Sequence, residues 1–224
     1  MSEDWKEEMT DEEFRYACYM SMPSIHRKIN DLISTDVFTE EMFSELESYL
    51  EEDPTYWEKI FLRDNISVSA MEMILRKDVL DLHTSKLNYF TIYAMYGGSR
   101  ESHGNICTVP VEDRIRIMTL FLEKGADINE QCAEDNSSLL VQYIKSIIEE
   151  SDIYCGEAGD MIARQSLLDV YHILPFLLQN GADPLLASKS GVTAMTLVRP
   201  DVDAFPYLSD ETWQFIQDEL AKYA

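Results

Sequence analysis

The sequence predicts an all-α protein, a short helical solenoid with a helical cap at each end. The chain has 224 residues, is 46% hydrophobic and contains only 8 glycines and 7 prolines, which is typical of a packed globular protein. Its apolar residues recur at helical spacing. Two stretches, 117–129 and 173–185, also read alike, because each carries an apolar helical stripe into Gly-Ala-Asp. A helical unit repeated along a chain is typical of a solenoid, in which each unit packs on the next.

Residues 1–66 predict an N-terminal helical region that lacks the repeat. Thr10 and Glu13 form a pattern similar to a capping box, and Thr39 is placed to cap a later helix. The apolar stripes are Phe14, Cys18 and Met22; Ile25, Ile29, Leu32 and Ile33; Phe43, Leu46 and Leu50; and Tyr56, Trp57, Ile60 and Phe61. At helical spacing these side chains predict core packing rather than a ligand site.

Residues 67–200 predict three copies of one unit, with insertions at 97–110 and 150–163. In the two clear copies Gly125 and Gly181 follow the last apolar turn, where glycine closes a helix because it adopts a left-handed conformation. Asp78 stands at that place in a degenerate first copy. After each polar turn a second helix is expected, capped by Ser137 and Ser138 or by Thr193.

The unit resembles the ankyrin repeat, whose signature includes Thr-Pro-Leu-His-x-Ala. The resemblance covers about residues 68–200 and rests on Gly-Ala-Asp followed by Gly191, Val192 and Thr193. The signature proline is absent, since Thr91, Leu139 and Ala194 stand in its place. The resemblance implies stacked helical pairs that bind another protein. Another helical-hairpin solenoid, or an irregular all-α domain, is the alternative fold.

Residues 201–224 predict a C-terminal cap. Pro200 and Pro206 interrupt the helical pattern, and Ser209 is placed to start a final helix. Its apolar stripe is Trp213, Ile216, Leu220 and Tyr223. Such a helix covers the open face that a solenoid leaves at its last unit.

The charge is strongly acidic and unevenly distributed. The formal net charge is −24, with 16 acidic and 4 basic residues in 1–53 and 12 acidic and 4 basic residues in 111–160. Such a field repels nucleic acids and anionic membranes, and it accelerates encounter with a basic partner. Solubility alone is the competing explanation of the charge.

Motifs for catalysis or cofactor binding are not found in the sequence. There is no P-loop, dinucleotide fingerprint, nucleophile elbow or zinc-protease motif. His103 and Cys107 are four apart, but further zinc ligands at suitable spacing are missing. Cys18 with His26, or Cys107 with His103, remains an open alternative for catalysis. We therefore expect a protein that is not an enzyme and has no cofactor or metal.

The sequence also predicts a cytoplasmic location. The N-terminus is acidic without an apolar segment, and no run of about 18 apolar residues exists. The four cysteines are far apart, and without a secretory signal we expect free thiols rather than two disulfides.

The expected function is a non-catalytic protein–protein interaction module. The resemblance extends to small acidic ankyrin-like immunity proteins, which implies an inhibitor that neutralises a basic partner such as a toxin or nuclease. The predicted partner-binding residues are Glu130, Glu134, Asp135, Tyr143, Glu149, Glu150, Asp152, Tyr154, Glu157 and Asp160. Acids interleaved with tyrosines suit partners rich in arginine and lysine. The alternatives are a nucleic-acid mimic that blocks a DNA-binding protein, and a secreted ankyrin-type effector.

Overall fold

A computed structural model describes residues 24–50, 57, 60, 66–80, 109–131, 135–153, 159–198 and 208–224, with the backbone alone at 149–153 and 159–168. Within these ranges the chain is helical and has no β-strand, so the expected all-α class is confirmed. Its helices are α1 (Ser24–Ile33), α2 (Glu40–Leu50), α3 (Val68–Arg76), α4 (Val111–Glu123), α5 (Leu139–Ile153), α6 (Gly159–Gln179), α7 (Ala194–Leu197) and α8 (Asp210–Ala221). None of these helices is both long and apolar enough to cross a membrane.

The helices pack in two adjoining rows. In the first row α3 contacts α4, α4 contacts α6, and α6 contacts α8. In the second row α5 contacts α7. The two rows meet where α5 packs against α6 and where α7 packs against α8. α1 packs on α2 and is joined to the start of α3, where Ser67 N donates to Ile33 O at 2.7 Å. The buried apolar side chains of the described residues, from Ile29 to Leu220, form one cluster.

Several helices begin at the residues that the sequence indicates. Ser209 Oγ accepts from Thr212 N at 3.1 Å at the start of α8. Thr193 and Thr196 form a reciprocal capping box at α7. A side-chain oxygen in these positions satisfies backbone N–H groups that have no partner within the helix. Capping is a local interaction, which is why the sequence predicts it.

Helix α5 is enclosed over residues 139–148, where its side chains are described. Each residue from Leu139 to Ile148 is buried or half-buried, and Tyr143 is only 5% exposed. The expectation that Tyr143 lies on an accessible binding face is therefore wrong, because packing around α5 encloses its ring.

Residues 150–153 and 159–163 of the predicted insertion lie within α5 and α6, and two members of the predicted apolar stripes are exposed. Ile25 is 39% exposed, while Ile29 and Ile33 of the same stripe are buried. Tyr223 is 44% exposed because it lies beyond the end of α8. The expected helix that begins near Thr10 and the loop at 97–108 lie outside the described residues.

Candidate protein-binding surface

Two turns in the described chain have the same construction. One follows α4 and the other follows α6. Gly125 and Gly181 take φ values of 90° and 92°, and the next amide in each turn reaches back to the helix. Ala126 N donates to Phe121 O at 3.0 Å and Ala182 N donates to Leu177 O at 3.0 Å. This is the hydrogen-bond pattern by which a left-handed residue closes a helix.

The aspartate of each Gly-Ala-Asp stabilises its own turn. Asp127 Oδ1 accepts from Asn129 N at 2.9 Å, and Asp183 Oδ1 accepts from Leu185 N at 2.8 Å. Aspartate favours this type of turn because its side chain accepts a hydrogen bond from the backbone two residues later. Both aspartates remain exposed, so each turn presents a carboxylate in a fixed position.

Asn129 joins the first turn to the second. Its Nδ2 donates to Gly181 O at 2.9 Å, and its Oδ1 accepts from Asp183 N at 2.9 Å. One amide group therefore satisfies a carbonyl and an N–H of the neighbouring turn. Gln131 adds a parallel link, since its Nε2 donates to Ala187 O at 3.0 Å. The two turns consequently form one continuous surface.

Asp135 is the most strongly held acid of this surface. Its carboxylate accepts from Ser137 N at 2.9 Å, from Ser137 Oγ at 2.6 Å and from Lys145 Nζ at 3.1 Å. The hydrogen bonds from Ser137 come first, followed by the bond and charge of Lys145, and together they lower the pKa of Asp135 from 3.8 to about 2. Its carbonyl also accepts from Lys189 N of the second turn at 2.9 Å.

Glu130 has the opposite electrostatic environment. Partial withdrawal of its carboxylate from solvent, followed by repulsion from Asp127, raises the pKa of Glu130. A carboxylate with a raised pKa is stabilised when a cation approaches it. Glu130 is exposed, so an incoming lysine or arginine has access to it.

We refer to Asp127, Glu130, Asp135, Asp183 and Leu185 as the turn surface. Two of the ten predicted binding residues, Glu130 and Asp135, belong to it. Glu149, Glu150 and Asp152 lie on α5 and Asp160 lies on α6, where only the backbone is described. Glu134, Tyr154 and Glu157 lie outside the described residues.

The sequence prediction missed three members of the turn surface. Asp127 and Asp183 were visible as the shared Gly-Ala-Asp, but were read only as part of the repeat. Leu185 is 55% exposed, although an apolar residue beside an apolar helix is expected to be buried. Leu185 lies four residues after Gly181, and Asn129 lies four residues after Gly125. The polar residue at the equivalent position of the first turn was the one available sign that position 185 need not be buried.

No group of three histidine, cysteine, aspartate or glutamate side chains able to hold a metal ion occurs in the described part of the chain. Comparisons with protein-family models, with curated proteins and with solved structures find no match to this chain.

Proposed function

We propose that this protein is a non-catalytic interaction module, an ankyrin-like helical solenoid whose turn surface binds a basic protein. The observation that carries the proposal is the junction of the two turns through Asn129. Since both atoms of its amide are bonded to the second turn, the exposed carboxylates of Asp127 and Asp183 keep a fixed separation. Fixed groups lose little conformational freedom on binding, which favours affinity.

The distribution of cations supports the same proposal. Many lysines and arginines of the described ranges are engaged in ion pairs within the chain: Arg76, Lys77, Arg114, Arg116, Lys124, Lys145 and Lys222. Over the whole chain, 42 acidic residues against 18 basic residues give the formal net charge of −24. A surface with excess acid attracts a basic partner over distances of about 10 Å at moderate salt.

The partner class that this chemistry suits best is a basic enzyme, inhibited when the acidic surface covers its cationic site. The resemblance to acidic ankyrin-like immunity proteins favours a toxin enzyme or nuclease. In this role Glu130 and Asp127 meet a lysine or arginine of the partner. The cation favours the ionised form of Glu130 and so lowers its raised pKa, and we expect binding to weaken as the pH falls through that pKa.

Capture of the partner tests the proposal. The immobilised full-length protein is exposed to a native lysate at low salt, and bound proteins are eluted with a salt step and identified. We expect one basic protein at 1:1 stoichiometry whose enzymatic activity is inhibited by the pure protein. A Glu130→Lys variant should lose about tenfold in affinity, the effect of roughly 1.4 kcal/mol.

The control is Glu47→Lys, the same charge reversal at an exposed position of α2. It should change the affinity far less than Glu130→Lys does. Recovery of many basic proteins without a stoichiometric partner would contradict the proposal, since it would reduce the charge to a solubility feature.

A further inference from the structure

The sequence contains a single Asn-Gly step, Asn180–Gly181, and it lies where α6 ends. Both residues are exposed. Apart from the neighbours of Gly181 in the chain, a Cβ placed on this glycine would meet no heavy atom within 4 Å, so its backbone borders open space. An asparagine is most readily attacked by the backbone amide that follows it when that amide belongs to glycine, because glycine has no side chain to obstruct ring closure.

In the closed turn, hydrogen bonds hold both reacting groups. Gly181 N donates to Leu178 O at 3.1 Å, and Asn180 Nδ2 donates to Phe176 O at 2.8 Å. Ring closure requires Gly181 N to lose its proton and to turn toward Cγ of Asn180, which breaks the first bond. Asn129 resists this rotation because its Nδ2 donates to Gly181 O at 2.9 Å. The reaction therefore depends on local opening of the turn.

We propose that Asn180 is a deamidation site and that the junction through Asn129 controls its rate. Once the turn opens, the deprotonated Gly181 N forms a bond with Cγ of Asn180, the Cγ–Nδ2 bond breaks, and ammonia leaves with a proton. A five-membered imide ring remains. Water then adds to one of the two imide carbonyl carbons and opens the ring. The product is aspartate, or isoaspartate where the main chain stays attached through the side-chain carbon.

Either product changes the turn surface. Both carry a new carboxylate at the carboxyl end of α6, where the helix dipole disfavours negative charge. Isoaspartate also adds one methylene group to the main chain before Gly181. This insertion displaces Gly181 O and Asp183 N, the two groups that Asn129 binds. Deamidation thus loosens the junction that holds the two turns together.

Timed incubation of the full-length protein at mildly alkaline pH tests the assignment. Proteolytic peptides are analysed by mass spectrometry for the mass increase that exchange of NH2 for OH causes, and for isoaspartate. We expect modification at Asn180 and far less at Asn136, which is half-buried and precedes the buried Ser137. In urea Asn180 should react about tenfold faster than in the folded protein, the effect of an opening free energy of roughly 1.4 kcal/mol.

Three variants separate the site from its control. Asn129→Ala removes two bonds from the turn and should accelerate deamidation of the folded protein about fivefold. Gln214→Ala is the matched control, because Gln214 is an exposed amide whose Nε2 bonds Asp218 of its own helix, and it should leave the rate unchanged. Asn180→Gln should abolish modification at this position, since a longer side chain would have to close a six-membered ring.

Measurements in urea guard against a folding defect. There wild type and Asn129→Ala should react at equal rates, because the junction exists only in the folded chain, and circular dichroism compares the helix content of the two folded proteins. Equal rates for these proteins when folded would overturn control by the junction. An unmodified Asn180 in both would overturn the site. Neither result depends on a partner, so failure of this inference is distinguishable from failure of the proposed function.

Discussion

Asp135 shows how one side chain stabilises a turn and also shapes the surface. It accepts hydrogen bonds from Ser137 and Lys145 through its carboxylate and from Lys189 N through its carbonyl. The carboxylate is thereby neutralised locally and is a weaker site for a partner cation than Glu130. Sequence reasoning grouped the two acids together because it cannot detect that Lys145, ten residues away, reaches one of them.

The Asp135 carboxylate should stabilise the fold over a defined range of pH. Its pKa is lowered from 3.8 to about 2, so its contribution is present above pH 3.8 and is lost as the pH falls through 2. The shift corresponds to roughly 2 kcal/mol before screening. Half of the side chain is exposed, so we expect Asp135→Asn to lose about 1 kcal/mol at neutral pH.

Urea unfolding between pH 7 and pH 2 measures this effect. The stability difference between wild type and Asp135→Asn should shrink as the pH falls below 3.8. Glu47→Gln, an exposed acid on α2, serves as the control and should change stability by less than about 0.5 kcal/mol. A difference for Asp135→Asn that persists at pH 2 would show that the charge is not its cause.

At the scale of the elements, the helix ends were predictable and the helix surroundings were not. Gly125 and Gly181 adopt positive φ as expected, and Asp78, predicted to replace that glycine, does so as well at 54°. These choices depend on local backbone chemistry. The burial of α5 depends on the elements that pack around it. A periodic pattern of apolar residues indicates one buried face of a helix and does not show whether the other faces are covered. Tyr143 was therefore misplaced.

The junction between the turns was also beyond sequence reasoning. Asn129 bonds to residues 52 and 54 positions away, and no local pattern indicates such a distance. Two of the ten predicted binding residues, Glu130 and Asp135, lie on the turn surface. They could be predicted because acidic residues near a turn are recognisable in the sequence. The rigidity that makes the surface a candidate site comes from long-range bonds.

A buried ion pair fixes α4 against α6. Arg114 of α4 and Asp169 of α6 are 5% and 6% exposed, and their side chains form a hydrogen-bonded salt bridge. Removing one member leaves the other charge buried without its counterion. We expect Asp169→Leu to cost about 3–5 kcal/mol of the free energy of unfolding.

The double variant Arg114→Met with Asp169→Leu tests the reason for that loss. Apolar residues of similar size often replace a buried pair at little cost, so urea unfolding should show most of the stability restored. A double variant whose loss equals the sum of the two single losses would contradict coupling between the residues.

At the scale of the whole molecule, ion pairs connect neighbouring helices. Ion pairs such as Lys124 with Asp78 and Arg116 with Glu72 join α4 to α3 or to the turn after it. Lys124 and Arg116 thus link neighbouring elements, while acids at the turn surface remain exposed.

The salt dependence of partner affinity tests this account most directly. The captured partner is titrated at increasing salt with wild type, with Asp127→Asn combined with Glu130→Gln, and with Asp36→Asn combined with Glu47→Gln. The second pair are exposed acids on and before α2. We predict that affinity falls as salt rises, and that the turn variant weakens binding and flattens the slope while the control pair leaves both nearly unchanged. Equal slopes for the two variants would contradict the claim that the turn surface binds the partner.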